Sequence, residues 1–292
     1  MNIAFNINKL GMEGLGPSMT SLIRNCSDAD KLIIWILSAD LDNDDKQNIK
    51  ELLDREGFNG KINFHDFDPI ANFGHFRSLH GDWTTYGRLL LPEILLDEKE
   101  VLYLDADIIV ELDVLKLKDN FDFKGYGLAV VKGGEKKYSL ENKFYIDVIG
   151  LNSNDISFNA GILYFNLDVW RNCQLKKQCM DFGRKYSEYL LSADQTILNV
   201  IFNNQVSFLP DSFNCAWPAN KDKPKVSENM ILHFVGSPKP WDFLGQYLHK
   251  GYREWGKYST REWRKKYGSL TINKIKRTWE IRRSLLRSII TN

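Results

Sequence analysis

Two aspartates two residues apart, Asp105 and Asp107, lie between the apolar runs 101–104 and 108–110. Runs of branched and aromatic residues of this kind read as a strand buried on both faces. Strand side chains alternate, so both carboxylates would leave the backbone on the same side. Two anions inside a buried strand are costly unless a cation meets them. The expected place for them is the carboxyl end of a central strand, where open α/β sheets bind ligands. There they can hold a divalent cation, and the cation can hold a diphosphate. Two solvated acids at a strand end are the other reading of the pair taken alone.

A carboxylate pair of this kind needs a sheet to position it. A first strand over about 2–7 runs into a glycine-bearing loop (Gly11, Gly14, Gly16), and Pro17 then opens a helix through Met19, Leu22 and Ile23. Residues 32–37 read as a second buried strand, about 44–55 as a helix ending before Gly57, and 61–67 as a third strand. This alternation implies a parallel sheet. A helix is expected over about 84–96 despite Pro92, then the strand with the aspartates, and a short strand over 127–131. The polar stretch 132–157 reads as a mobile loop over a site. A strand over 158–167, helices over about 168–190 and 193–203, and strands over 206–209 and 230–234 complete the pattern.

Composition narrows the class. A chain of 292 residues can bury a substantial core. Its four cysteines (Cys26, Cys173, Cys179, Cys215) form no CxxC pair, which points to reduced thiols in a cytosolic protein. The start on a strand-like 2–6 argues against a cleaved leader, and no stretch approaches the ~18–20 apolar residues of a membrane span. Charge is divided unevenly. Residues 250–292 hold thirteen Lys and Arg against three Glu, a net of +10, which leaves −9 for residues 1–249. An acidic body with a basic tail implies an anionic surface as partner.

Five stretches fall in a recognisable order: Tyr86-Gly87-Arg88-Leu89-Leu90-Leu91-Pro92, Asp105-Ala106-Asp107, Phe158-Asn159-Ala160-Gly161-Ile162-Leu163-Tyr164-Phe165-Asn166-Leu167, Asp194-Gln195-Thr196-Ile197-Leu198-Asn199, and His233-Phe234-Val235-Gly236-Ser237-Pro238-Lys239-Pro240-Trp241. The series closely resembles glycosyltransferase family 8, whose retaining enzymes include lipooligosaccharide galactosyltransferases and glycogenin. The resemblance spans nearly all of residues 1–241. It implies a single-domain α/β, Rossmann-like nucleotide-sugar fold (GT-A) with a mainly parallel mixed sheet over residues 1–249. It also implies a UDP-galactose or UDP-glucose donor and Mn²⁺, with Mg²⁺ as the other candidate.

Within that resemblance Asp105, Asp107 and His233 are the metal ligands. Oxygen donors suit hard cations, and the imidazole tilts the choice toward Mn²⁺. Gly236 lets backbone approach a phosphate and Lys239 adds a cation there. Arg88, Ala106 and Asn159 are expected to bind the donor, and Asp194 and Gln195 to face its sugar as the catalytic pair. An amide is a poor nucleophile, so front-face attack with Gln195 as electrostatic support is the expected course. Asp194 as a plain helix cap is the alternative. Asn6 and Asn8 stand where the family has a small residue and an aspartate at the nucleoside, and Lys132 where it often has an aspartate at the sugar.

The tail, residues 250–292, is expected to be a helical appendage. Tyr252, Trp255, Tyr258, Trp263 and Tyr267 interleave with basic residues, which suits an anionic bilayer surface. Ile272, Ile275, Trp279, Leu286 and Ile290, widened by Ile281, Leu285 and Ile289 and flanked by Arg277, Arg282, Arg283 and Arg287, form a helical stripe that would lie on a membrane. An acidic body argues against nucleic acid. The expected whole is a hexosyltransferase at the cytoplasmic face of a membrane, acting on a lipid-linked glycan. Glycogenin-like protein glucosylation and a non-catalytic nucleotide-sugar-binding protein are the alternatives.

Overall fold

Among the described residues ten strands form two sheets: β1 (Asn2–Ile7), β2 (Ile33–Ser38), β3 (Lys61–Asp66), β4 (Glu100–Leu104), β5 (Ile108–Val110), β6 (Leu128–Val131), β7 (Ile162–Asn166), β8 (Ser207–Leu209), β9 (Cys215–Ala216) and β10 (Ile231–His233). The structure, a computed structural model, describes residues 1–118 and 121–291, without the side chains of Asn273 and of residues 287–291. The main sheet has seven strands in the order β3-β2-β1-β4-β7-β6-β8, and β5-β10-β9 form a second, small sheet. In the main sheet only β7 runs antiparallel to its neighbours β4 and β6. The expected α/β class with a mainly parallel mixed sheet is therefore what the chain forms.

Strand alternation divides the core into two layers. Ile3, Phe5 and Ile7 of β1, with Leu102 and Leu104 of β4, pack beneath the apolar side chains of α1 (Met12–Asn25) and α2 (Asn43–Arg55). Ala4, Val101 and Tyr103 point the other way, toward α3 (Pro69–Phe73), α4 (Leu91–Ile94), and, beyond the short α5 (Leu115–Lys118), α6 (Leu167–Asn172), α7 (Leu175–Lys185) and α8 (Asp194–Ile201). The chain goes from β1 outward through β2 to β3, then returns to place β4 on the other side of β1. That reversal opens a crevice at the carboxyl ends of β1 and β4. Asn6 and Asp105 sit there.

Several local expectations are corrected. Gly11 ends a 3₁₀ turn, and the other two glycines read as loop formers, Gly14 and Gly16, belong to α1, which begins at Met12 and carries Pro17 inside it. Proline removes one helical hydrogen bond, and close packing explains the glycines instead. A Cβ on Gly14 would come within 2.7 Å of the Ala106 carbonyl and the Trp241 ring, and one on Gly16 within 2.3 Å of the Trp263 indole. The expected helix over 84–96 is a 3₁₀ stretch, Thr84–Leu90, followed by the single turn of α4. The stretch 132–157 is largely at the surface but is anchored at a few buried residues. Lys136 is fully buried and donates to the carbonyls of Ile156 (3.0 Å) and Asn199 (3.1 Å), while Glu141 accepts from Thr196 Oγ1 (3.0 Å). Burial lowers that lysine's pKa to about 8. Strand β9 has no counterpart in the sequence pattern; two residues are too few to carry a period. All four cysteines are free, as expected.

After the short α9 (Gly245–Leu248), the tail comprises α10 (Tyr252–Tyr258), α11 (Arg261–Tyr267), α12 (Ile272–Glu280) and α13 (Arg282–Thr291). Its first part is built into the body. Trp255 closes the small core made by Ile109, Cys215, Trp217, Leu232 and Phe234, and Trp263 joins the main core, donating from Nε1 to the Met12 carbonyl (2.8 Å). These two tryptophans are thus withdrawn from any surface role. Beyond them Leu270, Ile272, Ile275, Trp279 and Leu286 are exposed. The side chains of Arg287, Ile289 and Ile290 lie outside the described residues. Among the described residues no helix is long and apolar enough to cross a membrane.

Candidate active site

The break between β4 and β5 builds the site. After Leu104 the chain leaves the main sheet, turns through Asp105, Ala106 and Asp107, and enters the small sheet at Ile108. Asp105 N donates to the Gly161 carbonyl (2.8 Å), and Ser18 Oγ of α1 lies within hydrogen-bond distance of the carbonyls of Ala106 (2.7 Å) and Ile108 (2.8 Å). A pinned turn, and not strand alternation, brings the two carboxylates together. The antiparallel register of β10 on β5 sets His233 opposite Ile108 and so beside Asp107.

His233 Nε2 lies 3.3 Å from Asp107 Oδ1 and 4.0 Å from Asp105 Oδ2. Donor atoms of the three residues all lie within 4.8 Å of one another, as a shared metal ion requires. Nδ1 of the imidazole faces Asn214 Oδ1 at 2.9 Å. A proton held there leaves the Nε2 lone pair directed at the carboxylates. Asp107 Oδ1 is buried and has no aligned hydrogen bond, His233 notwithstanding. An unsatisfied buried carboxylate oxygen is costly, and a cation shared with Asp105 and His233 removes that cost. Gly161 keeps the space open: a Cβ there would stand 2.3 Å from His233 Cε1 and 2.9 Å from Asp105 Oδ2.

Different cations hold the two aspartates. Asp105 accepts from Arg88 (3.1 Å) and from the Tyr103 hydroxyl (2.7 Å). Arg88 is buried, lies 4.2 Å over the Tyr103 ring, and donates to the carbonyls of Thr85 (3.1 Å) and Ala160. Burial works against its charge, but Asp194, Tyr103 and Asp105 hold its pKa above the ordinary value. Asp194 closes this network from behind, at 3.1 Å from Arg88 Nε and 2.7 Å from Thr85 Oγ1. Burial pushes its carboxyl up to about 6, against the pull of Arg88. It does not cap its own helix. On the other side Asp107 pairs with Lys239 Nζ (2.5 Å), which also donates to the Phe234 carbonyl. Burial opposes the Asp107 charge, and Lys239 is the chief group that favours it, holding this carboxyl well below the usual range.

Gln195 heads α8 and its Oε1 accepts from Asn159 Nδ2 (3.1 Å) and Ala160 N (3.0 Å). Asn159 Oδ1 in turn accepts from Asn214 Nδ2 (3.0 Å) and Gly161 N (2.9 Å). One chain of hydrogen bonds thus joins His233, Asn214, Asn159 and Gln195. Asn6 donates to the Thr84 carbonyl (2.5 Å) and leaves Oδ1 buried without a partner, while Asn8 is engaged with Asp82 (2.6 Å) and Gly11 (3.1 Å). Gly236 has φ +73° with open space where a Cβ would stand. Sequence reasoning assigned no role to Asn214, Tyr103, Thr85 or Ser18, and gave Gly161 none beyond its motif. Of these, Gly161 lies in one of the five motifs and Tyr103 in the apolar run before the aspartates.

The sequence model of glycosyl transferase family 8 matches residues 2–245. The chain belongs to that family. Among its relatives, lipopolysaccharide 1,3-galactosyltransferase of Salmonella typhimurium is 26% identical over 258 residues, 84% of this chain and 74% of the relative. Lipopolysaccharide 1,2-glucosyltransferase of Escherichia coli K12 is 24% identical, over 82% of this chain and 72% of its own length. The galactosyltransferase LgtC, solved with donor and acceptor sugar analogues, superposes with a TM-score of 0.76 at 25% identity and covers 91% of this chain and 100% of its own. The family 8 member described here is a glycosyltransferase of the same fold, with a candidate metal site at the crevice of its sheet.

Proposed function

We propose that the protein is a retaining hexosyltransferase that moves galactose or glucose from a UDP-sugar to a lipid-linked glycan, with Mn²⁺ held by Asp105, Asp107 and His233. The observation that carries this reading is the two carboxylates, one directed imidazole and one lysine gathered at the switch point of the sheet. When bound, the ion supplies positive charge to the diphosphate as the sugar–phosphate bond breaks. Lys239 adds countercharge on the same side without a proton transfer. The orphaned Asn6 Oδ1 is free to accept from the nucleobase, and Gly236 leaves room for the phosphates.

On the sugar side Asn159 and Gln195 border the cleft. Because Gln195 Oε1 is already bonded to Asn159 and Ala160, it is poorly placed to act as a nucleophile. In our reading the acceptor hydroxyl therefore attacks from the face that UDP leaves, and its proton passes to the departing diphosphate. Arg88 and Asp194 are positioning residues: they hold Asp105 and the Ala160 backbone from inside the protein. The exposed Ile272, Ile275 and Trp279 of α12, with Lys276, Arg282 and Arg283 nearby, would rest on an anionic cytoplasmic membrane surface.

A donor screen with UDP-galactose and UDP-glucose, with and without Mn²⁺, followed by NMR of the product anomer, tests the proposal. An α-linked product from one of these α-configured donors is expected. A β-linked product would overturn retention, and hydrolysis or transfer of neither donor would overturn the donor class. Sedimentation with anionic liposomes, reversed by high salt, is expected of the full chain; equal binding after Ile272, Ile275 and Trp279 are replaced by Ser would remove the membrane role of α12.

A further inference from the structure

Helix α12 is amphipathic the wrong way round for a helix lying on a protein. Such helices normally bury an apolar stripe and expose charge. Here Ile272, Ile275 and Trp279 are 73%, 56% and 69% exposed, while Lys274 and Arg277 point at the body. The contacts that they make are ion pairs with carboxylates of the body that are buried with the helix in place. Lys274 pairs with Glu13, and Arg277 with Asp242, whose side chains are only 8% and 5% exposed.

The Arg277 pair is bidentate: Nε donates to Asp242 Oδ1 (2.6 Å) and Nη2 to Oδ2 (3.0 Å). Oδ2 also accepts from the backbone N–H of Lys239 (2.7 Å), and Asp242 N donates back to the Lys239 carbonyl (3.1 Å). A closed turn from Lys239 to Asp242 results, and its side-chain staple is the carboxylate that Arg277 neutralises. We infer that Arg277 is a positioning residue for the diphosphate loop, holding Lys239 in place through Asp242 and so tying the tail to the donor site.

The physical reason lies in the burial of Asp242. Without Arg277 that carboxylate keeps one backbone N–H and no countercharge, and an uncompensated buried anion is strongly disfavoured. It relieves the cost by turning toward solvent, which releases the Lys239 N–H and loosens the turn. The Lys239 ammonium then no longer sits where Asp107 and the departing diphosphate need it. Neither ligand-bearing sheet needs to move for this to happen. Lys274 provides the comparison, since its pair with Glu13 anchors the same helix and makes no hydrogen bond to the loop, although Glu13 lies near enough to Asp242 to act on its charge.

The inference rests on the donor reading above, and the test separates the two. On the full chain, UDP binding in the presence of Mn²⁺ is measured by calorimetry, and amide hydrogen exchange of residues 236–243 is measured without metal or nucleotide. Arg277→Ala is expected to weaken UDP binding and raise the donor KM roughly tenfold, to leave the acceptor KM unchanged, and to speed exchange at the Lys239 amide. Arg277→Lys keeps the charge but not the fork, so it should recover part of the loss. Lys274→Ala should leave UDP affinity and loop exchange at wild-type values. If Arg277→Ala binds UDP as the wild type does, or if Lys274→Ala weakens it equally, the positioning role is overturned while the donor reading stands. Absence of any Mn²⁺-dependent UDP binding by the wild type would overturn both.

Discussion

The two aspartates of the site are two residues apart and live in opposite surroundings. Asp105 belongs to a side held from inside the protein: Arg88 and Tyr103 donate to it, Thr85 joins Arg88 to Asp194, and Asp194 Oδ2, though without an aligned hydrogen bond, lies 3.1 Å from Arg88 Nε. Asp107 belongs to a side that is incomplete, with one carboxylate oxygen buried and unbonded and the other on a lysine that also reaches the cleft. The contrast separates positioning from binding. Both sides keep a buried carboxylate oxygen without an aligned hydrogen bond, but Asp194 Oδ2 faces the Arg88 guanidinium, whereas Asp107 Oδ1 faces His233 beside Asp105, where a shared cation would satisfy it. Charge alone would not distinguish the two, because each aspartate has a basic partner.

Substitutions on the two sides should therefore differ in kind. Asp107→Asn has the largest expected effect: transfer is abolished while far-UV circular dichroism and the melting temperature stay near those of the wild type. Lys239→Ala should lower kcat by ~10²–10³-fold, the usual loss of one charge-stabilising group in a reaction of this type; an unaffected kcat would remove the residue from the binding side. Asn214→Ala should weaken Mn²⁺ binding by ~10–100-fold, as loss of a partner that orients a ligand generally does, and Mn²⁺ titration by electron paramagnetic resonance reads this directly.

Asp194 gives the smallest effect and the cleanest signature. Its folded pKa of about 6 lies above its ordinary 3.8, so between these values the folded state binds more protons than the unfolded one. Stability from this group is then present below about pH 4 and lost as pH rises through 6. Asp194→Asn should flatten that part of the melting-temperature profile. An unchanged slope would contradict its assignment to the buried side.

Much of this contrast was legible before any coordinates. Asp105 and Asp107 stand out by type and spacing, the roles expected of His233 and Lys239 rest on the resemblance to family 8, and β1, β2 and α2 follow from periodicity and caps. What escaped notice depends on contacts far apart in sequence. Asn214 precedes a two-residue strand and matters only because β9 lies beside β10. The glycines of α1 looked like loop formers because the surfaces that demand them, at Ala106, Trp241 and Trp263, come much later in the chain. The aromatic pattern of the tail could not tell Trp255 and Trp263, which are buried, from Trp279, which is not. The burial of Asp194 beside Arg88 could not be read from its motif either.

The most direct measurement is calorimetric titration of the full chain with UDP in Mn²⁺ and again in EDTA. If Asp105, Asp107 and His233 share one ion that holds the diphosphate, UDP binds measurably with Mn²⁺ and its affinity collapses in the chelator. Equal UDP affinity in the two buffers would contradict the account at its centre.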